Sequence, residues 1–550
     1  MKFKAIILPL ALALSACTSM SDDKAGLIGV QAGKNIAVAT VQNAQIQGFI
    51  QDGVMVYKGV PYAKAERFMP PVLQSPQNQL ALRNGNICPQ GNVNPMDTFL
   101  FSGGKFTQSD DCLNLNIWTP ATQKTSPDKQ KRPVMVWLHG GGFMAGSSLE
   151  SDAYDGANLA KSQDVVVVSV NHRLNAMGYL DLSHLGGKYA QSVNLGVQDL
   201  VASLEWIQQH IDQFGGDPNN VTIFGESGGG AKVMTLMGTP SAKGLFHKAI
   251  VQSALVGDDM IQLLKPEISR HVTELTLKNL GIQNNKLDKL NDLPFEQILE
   301  AGNQALAQVA QEFDFRNPLN PSQVALSWRP IQDGNIVPQH PKDSDLSGGI
   351  PLLIGNNFAE WTSFPLQVDF AKSLNDNKNT WTDEQLQTKL NERFGRQKEA
   401  VVQAFRQAYP NRPVADVLYA AASFRVPTIQ MSNIHARKAP VYQYLFAWDT
   451  PVMDGIPMSY HTAEIAFVMN NIGKAQKATG GTREAYALAE KMSRAWGNFA
   501  KTSNPNARGL PKWPAYTPQN GATMIFDNQS EVKQHHDREL MKLLNPNAVF

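Results

Sequence analysis

Short apolar segments separated by helical stretches predict an α/β fold with a mostly parallel central sheet flanked by helices. Three segments carry the prediction. Residues 133–138 (PVMVWL), 165–170 (VVVVSV) and 221–224 (VTIF) are short, apolar and rich in β-branched side chains, as strands buried on both faces must be. Between the last two, residues 194–214 place Leu195, Leu200, Leu204, Ile207 and Ile211 at helical spacing. Strand, helix, strand in succession implies parallel pairing through a crossover helix.

Two later segments, 351–354 (PLLI) and 441–448 (VYQYLFAW), extend the expected sheet. Residues 256–330 and 365–435 read as mainly helical insertions that cover it. No Pro/Gly/Ser-rich linker isolates them, so residues 38–550 are expected to form one domain.

The 550 residues are 42% hydrophobic and 18% charged, enough apolar material for a sizeable core. The net charge is +1, so no basic face argues for nucleic acid as a partner. Oligomeric state cannot be read from the sequence. The N-terminus is more specific. Lys2 and Lys4 precede an apolar run at 5–14, too short to span a bilayer, which reads as a secretory signal. The run ends in Leu14-Ser15-Ala16-Cys17, which resembles a bacterial lipobox. Residues 1–16 are then a lipoprotein signal, Cys17 the lipidated residue, and residues 17–37 a flexible tether. The alternative is an ordinary cleavable signal with a chance cysteine. On the lipobox reading the domain is exported to the bacterial cell envelope, in the periplasm or outside the cell. Its one membrane contact is the lipid anchor.

Three cysteines are present: Cys17, Cys88 and Cys112. Lipidation of the first leaves one pair for an oxidising compartment, the alternative being two free buried thiols. A disulfide closing a loop of this length is worth about 3 kcal/mol on loop entropy.

The chemistry centres on Gly225-Glu226-Ser227-Gly228-Gly229, a G-x-S-x-G sequence. A predicted strand precedes it and a helix-capable segment, 231–237, follows. That context is a nucleophile elbow, a sharp strand-to-helix turn that presents the serine oxygen above the sheet. A serine hydroxyl is a weak nucleophile. It needs a base, an acid to orient the base, and donors for the oxyanion that forms on the carbonyl. His139-Gly140-Gly141-Gly142-Phe143 directly follows the strand at 133–138. Its glycines let backbone N–H groups approach a ligand, so the expected oxyanion donors are Gly141, Gly142 and Gly228. No G-K-[ST] follows, which excludes a phosphate-binding P-loop.

With these motifs in place the chain resembles the type-B carboxylesterase/lipase family, which includes para-nitrobenzyl esterases and cholinesterases. The resemblance rests on Tyr57-Lys-Gly-Val-Pro-Tyr-Ala63, Arg67-Phe-Met-Pro-Pro71, Asp110-Asp-Cys-Leu-Asn-Leu-Asn-Ile-Trp118 and Asn171-His-Arg-Leu-Asn-Ala-Met-Gly-Tyr-Leu-Asp181. Phe214-Gly-Gly-Asp-Pro-Asn-Asn220 and Gly244-Leu-Phe-His-Lys-Ala249, on either side of the elbow, are the most specific segments. The resemblance implies an α/β-hydrolase fold with helical insertions and hydrolysis of small to medium carboxylic esters by a serine nucleophile, without cofactor or metal. It also implies that Cys112 pairs with Cys88. The family order is serine, glutamate, histidine. Glu360 in Gly355-Asn-Asn-Phe-Ala-Glu360 follows the strand at 351–354 with the family's spacing; Asp333 and Asp345 are rivals on residue type alone. Of eleven histidines, His435, His461, His535 and His536 lie beyond Glu360. His461 begins His461-Thr-Ala-Glu464, which resembles the family's H-x-x-E segment, and it follows the strand at 441–448. His435 precedes that strand, and the charged C-terminal setting of His535 and His536 suits a solvated face.

Three positions depart from the common pattern. Gly228 replaces the usual alanine, which suggests a looser turn. Trp361 replaces a frequent glycine and is expected to wall the pocket. Asn114 stands where many members carry tyrosine, with no functional reading. A neutral His461 as base predicts activity falling below about pH 6 to 7. Two other readings stay open: an inactive adhesion or binding protein on the same fold, and a long-chain lipase.

Overall fold

A computed structural model describes residues 29–91, 106–121, 131–254, 263–317 and 320–550. The signal, Cys17 and most of the tether lie outside the described residues.

Among the described residues, twelve strands form the principal sheet: β1 (Val30–Gln31), β2 (Phe49–Gln51), β3 (Val54–Pro61), β4 (Asn114–Pro120), β5 (Arg132–Leu138), β6 (Val166–Val170), β7 (Gly216–Glu226), β8 (Lys248–Gln252), β9 (Leu352–Asn357), β10 (Val441–Phe446), β11 (Ala522–Phe526) and β12 (Glu531–Gln534). Their spatial order is β1-β2-β3-β4-β6-β5-β7-β8-β9-β10-β11-β12. From β6 through β11 every pairing is parallel. The two margins are antiparallel. All five expected strands are present. The sheet begins before the boundary expected at residue 38, because β1 pairs with β2 and so belongs to the fold rather than to a tether.

Alternation along β5 explains the layers. Val134, Val136 and Leu138 pack on one face with Leu200, Leu204 and Ile207 of α1 (Leu195–His210). Met135 and Trp137 pack on the other face, in the cluster that holds Leu488, Met492 and Trp496 of a helix at Arg483–Thr502. All five residues of β6 are buried. Each fully buried valine contributes about 1.5–3 kcal/mol, which explains why so plain a sequence forms the centre of the sheet. The expected insertions are helical. Pro266–Asn279 and Phe295–Glu312 share the first core cluster with the sheet, Lys398–Ala408 packs in a third with Leu445 and Ile525 of the sheet, and Ala422–His435 contributes to both.

The order β6-β5-β7 creates the position that matters for function. β5 sits centrally; the chain passes from it to β6 on one side, then crosses to β7 on the other and continues outward to β8. A crevice opens outside the carboxyl ends of strands at such a switch point. Leu138 of β5 is in register with Gly225 of β7, so the loops that follow emerge side by side.

Cys88 and Cys112 form the disulfide that the resemblance implied, with Cα atoms 4.9 Å apart. It ties the segment ahead of β4 to the strand's approach. Asn114, one of the departures, is structural. Its side-chain amide donates to the carbonyls of Asn86 and Cys112 and its oxygen accepts from Asn171. Replacing both cysteines by serine should lower the free energy of unfolding by about 3 kcal/mol. Urea unfolding under oxidising conditions measures it, and an unchanged midpoint would contradict the assignment.

Candidate active site

Ser227 sits on the turn between β7 and a helix at Gly228–Met237, at φ 57°, ψ −122°. That conformation is strained for a side chain with a β-carbon and is held by its surroundings. The Ser227 N–H donates to the carbonyl of Gln252 on β8, and its carbonyl accepts from Ala231. Gly229 makes the turn possible: a β-carbon there would overlap the carbonyl oxygen of Leu138. Gly228 does not loosen the turn, as its departure from alanine suggested. A methyl group at 228 would overlap the backbone of Gly142, so the His139–Phe143 loop occupies that space.

Gly141 and Gly142 both adopt positive φ, 78° and 61°. The Gly141 carbonyl accepts from the N–H of Ala145, which closes a tight turn. The Gly142 backbone lies against the elbow at Gly228, and Gly140 lies beside Ser227.

Glu360 follows β9 and His461 follows β10, so both arrive at the same edge as Ser227. His461 Nδ1 is 2.7 Å from Glu360 Oε2, and the His461 N–H donates to the Glu360 carbonyl. The other Glu360 oxygen accepts from the N–H of Asn357. With Nδ1–H donated to Glu360, Nε2 of a neutral imidazole is the free acceptor.

Two further buried carboxylates enter this cluster, and neither was assigned a role from the sequence. Glu226 Oε1 is 3.4 Å from His461 Nδ1, and neither Glu226 oxygen has a hydrogen-bond partner among the described residues. Glu464 accepts from Asn357 and Gln252. Both lie inside the motifs already quoted, Glu226 next to the serine and Glu464 in H-x-x-E. A glutamate between apolar strand residues and a tight turn was the available signal.

The electrostatics follow from burial. Desolvation alone would lower the His461 pKa, but Glu226, the hydrogen bond to Glu360 and the charge of Glu464 outweigh it and raise it to about 9. Burial pushes Glu226 well above the carboxylate range, opposed by His461 and reinforced by Glu464 and Glu360. Burial, with the charge of Glu360, pushes Glu464 up to about 7. The shifts describe one coupled set: a charged Glu226 holds the imidazolium, and a proton on Glu226 leaves the ring to Glu360.

Aromatic side chains wall the ring. Trp361 stacks on His461 with centroids 6.1 Å apart, Phe424 lies at 5.3 Å and Phe364 at 6.3 Å. The Trp361 indole N–H donates to Ser423, which fixes the plane of the ring. Beyond Trp361 lies a cavity of about 840 Å³ that also touches Leu366, Tyr419, Ala421 and Leu544.

The rival residues are occupied elsewhere. Asp333 caps a turn by accepting from Asn335, Ile336 and Val337. Asp345 is exposed and pairs with Lys438. His435 Nε2–H donates to the Ile350 carbonyl, ahead of β9 and at the opposite edge of the sheet. His535 contacts the Gln519 carbonyl. His536 does not lie on a solvated face. Its side chain is buried against Tyr409 and Asp537, and burial lowers its pKa to about 4 despite the Asp537 charge. The buried Arg425–Asp537 pair draws this segment inward, which a run of charged residues does not reveal.

Residues 35–543 match the carboxylesterase family. The para-nitrobenzyl esterase of Bacillus subtilis (strain 168) is 32% identical over 522 residues, covering 92% of this chain and 98% of its own. Among solved structures, an esterase from the anaerobe Clostridium hathewayi that can hydrolyse aliphatic aromatic polyesters is 34% identical. It superposes with a TM-score of 0.83 over 94% of this chain and 99% of its own. Carboxylesterase EST55 of Geobacillus stearothermophilus is 33% identical with a TM-score of 0.70, covering 92% of this chain and 100% of its own. The sheet order, the strained serine turn and the whole-length similarity to esterases agree: this chain belongs to the carboxylesterase family, on an α/β-hydrolase fold, and is a carboxylic ester hydrolase.

Proposed function

We propose that the enzyme hydrolyses small to medium carboxylic esters by acyl transfer through Ser227, His461 and Glu360. The observation that carries this reading is the 2.7 Å contact between His461 Nδ1 and Glu360, formed at the sheet edge that also bears the strained Ser227. His461 Nε2 takes the Ser227 proton as Oγ attacks the ester carbonyl. The oxyanion is held by N–H groups of Gly141, Gly142 and Gly228. The imidazolium, stabilised by Glu360 and Glu226, then protonates the leaving alcohol as the tetrahedral intermediate collapses. Water repeats the sequence on the acyl-enzyme and releases the acid. The apolar walls of Trp361, Phe364 and Phe424 support a substrate with an uncharged acyl or alcohol group.

Ser227→Ala should reduce kcat by several orders of magnitude, on the order of a millionfold in the subtilisin precedent, and abolish labelling by a fluorophosphonate. Retained turnover of a nitrophenyl ester by that variant would sink the mechanism. Short- and medium-chain nitrophenyl esters should be cleaved faster than long-chain esters or an anilide. The reverse order would favour the lipase reading.

The base must be neutral, so the raised His461 pKa displaces the acid limb upward from the value expected of an isolated imidazole. Activity should climb with pH above 6.5 toward about 9. Glu226→Gln removes a negative charge beside the ring, so its limb should move to lower pH. An unmoved limb, or one moved upward, would contradict the assignment.

Upstream of the described residues, the lipobox-like Leu14-Ser15-Ala16-Cys17 supports export and lipidation at Cys17, with the enzyme held in the cell envelope. Cys17→Ser should shift the protein out of the membrane fraction. Unchanged fractionation would count against the anchor.

A further inference from the structure

Lys232 lies in the first turns of the helix at Gly228–Met237 and is wholly buried. No step above uses it. A lysine sealed from water needs compensation for its lost hydration. Here it comes from backbone: Nζ donates to the carbonyl of His139 at 2.8 Å and to that of Gly140 at 3.2 Å. Those two residues open the loop whose next members are Gly141 and Gly142.

We propose that the Lys232 ammonium is a positioning group for the oxyanion hole, holding the 139–142 loop in the notch at Gly228 and strengthening the Gly141 N–H as a donor. This rests on the ester-hydrolase mechanism proposed above. Two physical effects are involved. The first is placement. A methyl at Gly228 would overlap the Gly142 backbone, so the loop sits deeper than an alanine would permit. The ammonium beneath draws the same loop inward through two carbonyls. The second is polarisation. The Gly140 carbonyl and the Gly141 N–H belong to one peptide group. A cation at the oxygen withdraws electron density from the nitrogen, so the N–H binds a developing anion more strongly.

The surroundings favour this role over simple filling of space. The rings of His139 and His172 stack with centroids 4.9 Å apart beside the lysine. Burial, together with the Lys232 charge, holds both imidazoles well below their usual pKa, so they add no competing positive charge. The His139 Nδ1 also contacts the Gly140 carbonyl, at 3.0 Å. Glu150, half-buried and bonded to the Tyr154 hydroxyl, supplies the opposing charge that favours the ammonium. Burial works against it and brings Lys232 down to about 7, so polarisation of the Gly141 N–H by a full charge acts below that pH, while the two N–H donations that place the loop persist in the neutral amine.

Lys232→Met keeps the volume of the side chain and removes the charge. A lysine that merely fills space predicts unchanged kcat with equal or higher stability, because a buried charge is replaced by an apolar isostere. The positioning role predicts kcat lower by roughly ten- to hundredfold, below the loss for deleting a whole oxyanion donor. KM should stay within about threefold. A trifluoromethyl ketone, whose adduct carries the oxyanion, should lose affinity in parallel with kcat, while a ground-state ketone should not. Gly228→Ala should give the same pattern by lifting the loop. Should Lys232→Met fail to fold, Lys232→Gln keeps one neutral donor and is expected to lie between. Folded Lys232→Met or Lys232→Gln with kcat within twofold of the parent overturns the proposal. So does a loss shared equally by both ketones, which would be general loosening. If Ser227→Ala retains turnover, the underlying mechanism has failed instead, whatever Lys232 does.

Discussion

The close approach of two backbones at the carboxyl ends of β5 and β7 is the constraint on which the site depends. Gly225 and Gly229 both press on the Leu138 carbonyl, and Gly228 presses on Gly142. Side chains at these positions would push the elbow away from the neighbouring loop. The parallel register of Leu138 with Gly225 makes the contact inevitable once the sheet has formed. The stability of a large apolar core thus maintains a strained serine that could not hold its conformation in isolation. The core is built from ordinary valines and leucines. Their function is to make the strain at Ser227 affordable.

The same edge gathers charge. β9 and β10 deliver Glu360 and His461, β7 ends in Glu226, and Glu464 follows one turn after His461. Three buried carboxylates gather around one largely buried imidazole. Carboxylates so placed cannot all be ionised at low energetic cost, and the imidazole is the group whose protonation relieves them. The imidazolium that the proposed reaction forms is thereby stabilised, at the cost of an acid limb moved to higher pH.

Much of this was legible in the sequence, and the reasons are physical. Buried parallel strands are uniformly apolar, so β5, β6 and β9 were visible as short runs with only their ends misjudged. β7 is longer than its apolar part because Gly216–Asn220 continues the strand without apolar side chains. The glycines of the elbow and of the 139–142 loop were legible because only glycine fits where backbones touch. Glu360 and His461 were reached through strand order and family resemblance, since a single acid or histidine has no local signature. His536 was misread because its burial depends on Arg425 and Asp537, the first of them more than a hundred residues away in sequence. Lys232 was passed over for a similar reason. Nothing in a helical lysine announces that its only escape from the core is toward two carbonyls of another loop.

Seen from Ser227, the buried charges are not distributed at random. The ammonium of Lys232 lies on the side of the glycine loop. Glu360 and Glu464 lie on the side of His461, while Glu226 reaches both His461 and the loop at Gly140, and Glu150 faces Lys232. In the proposed acyl transfer, negative charge appears on the carbonyl oxygen at the glycine loop and positive charge appears on the imidazole. Lys232 on one side and Glu360 with Glu464 on the other therefore match the direction in which the transition state separates charge. Because they are held by the fold before substrate arrives, little reorganisation accompanies the reaction, which is the condition under which electrostatic stabilisation is most effective. Trp361 and Phe424 pack against the imidazole and replace water on that side, which strengthens the interactions of the ring. The departures at Gly228 and Trp361 thus bear on one property, the strength of the field across the reacting ester: the first admits the loop to the elbow, and the second keeps water from the imidazole.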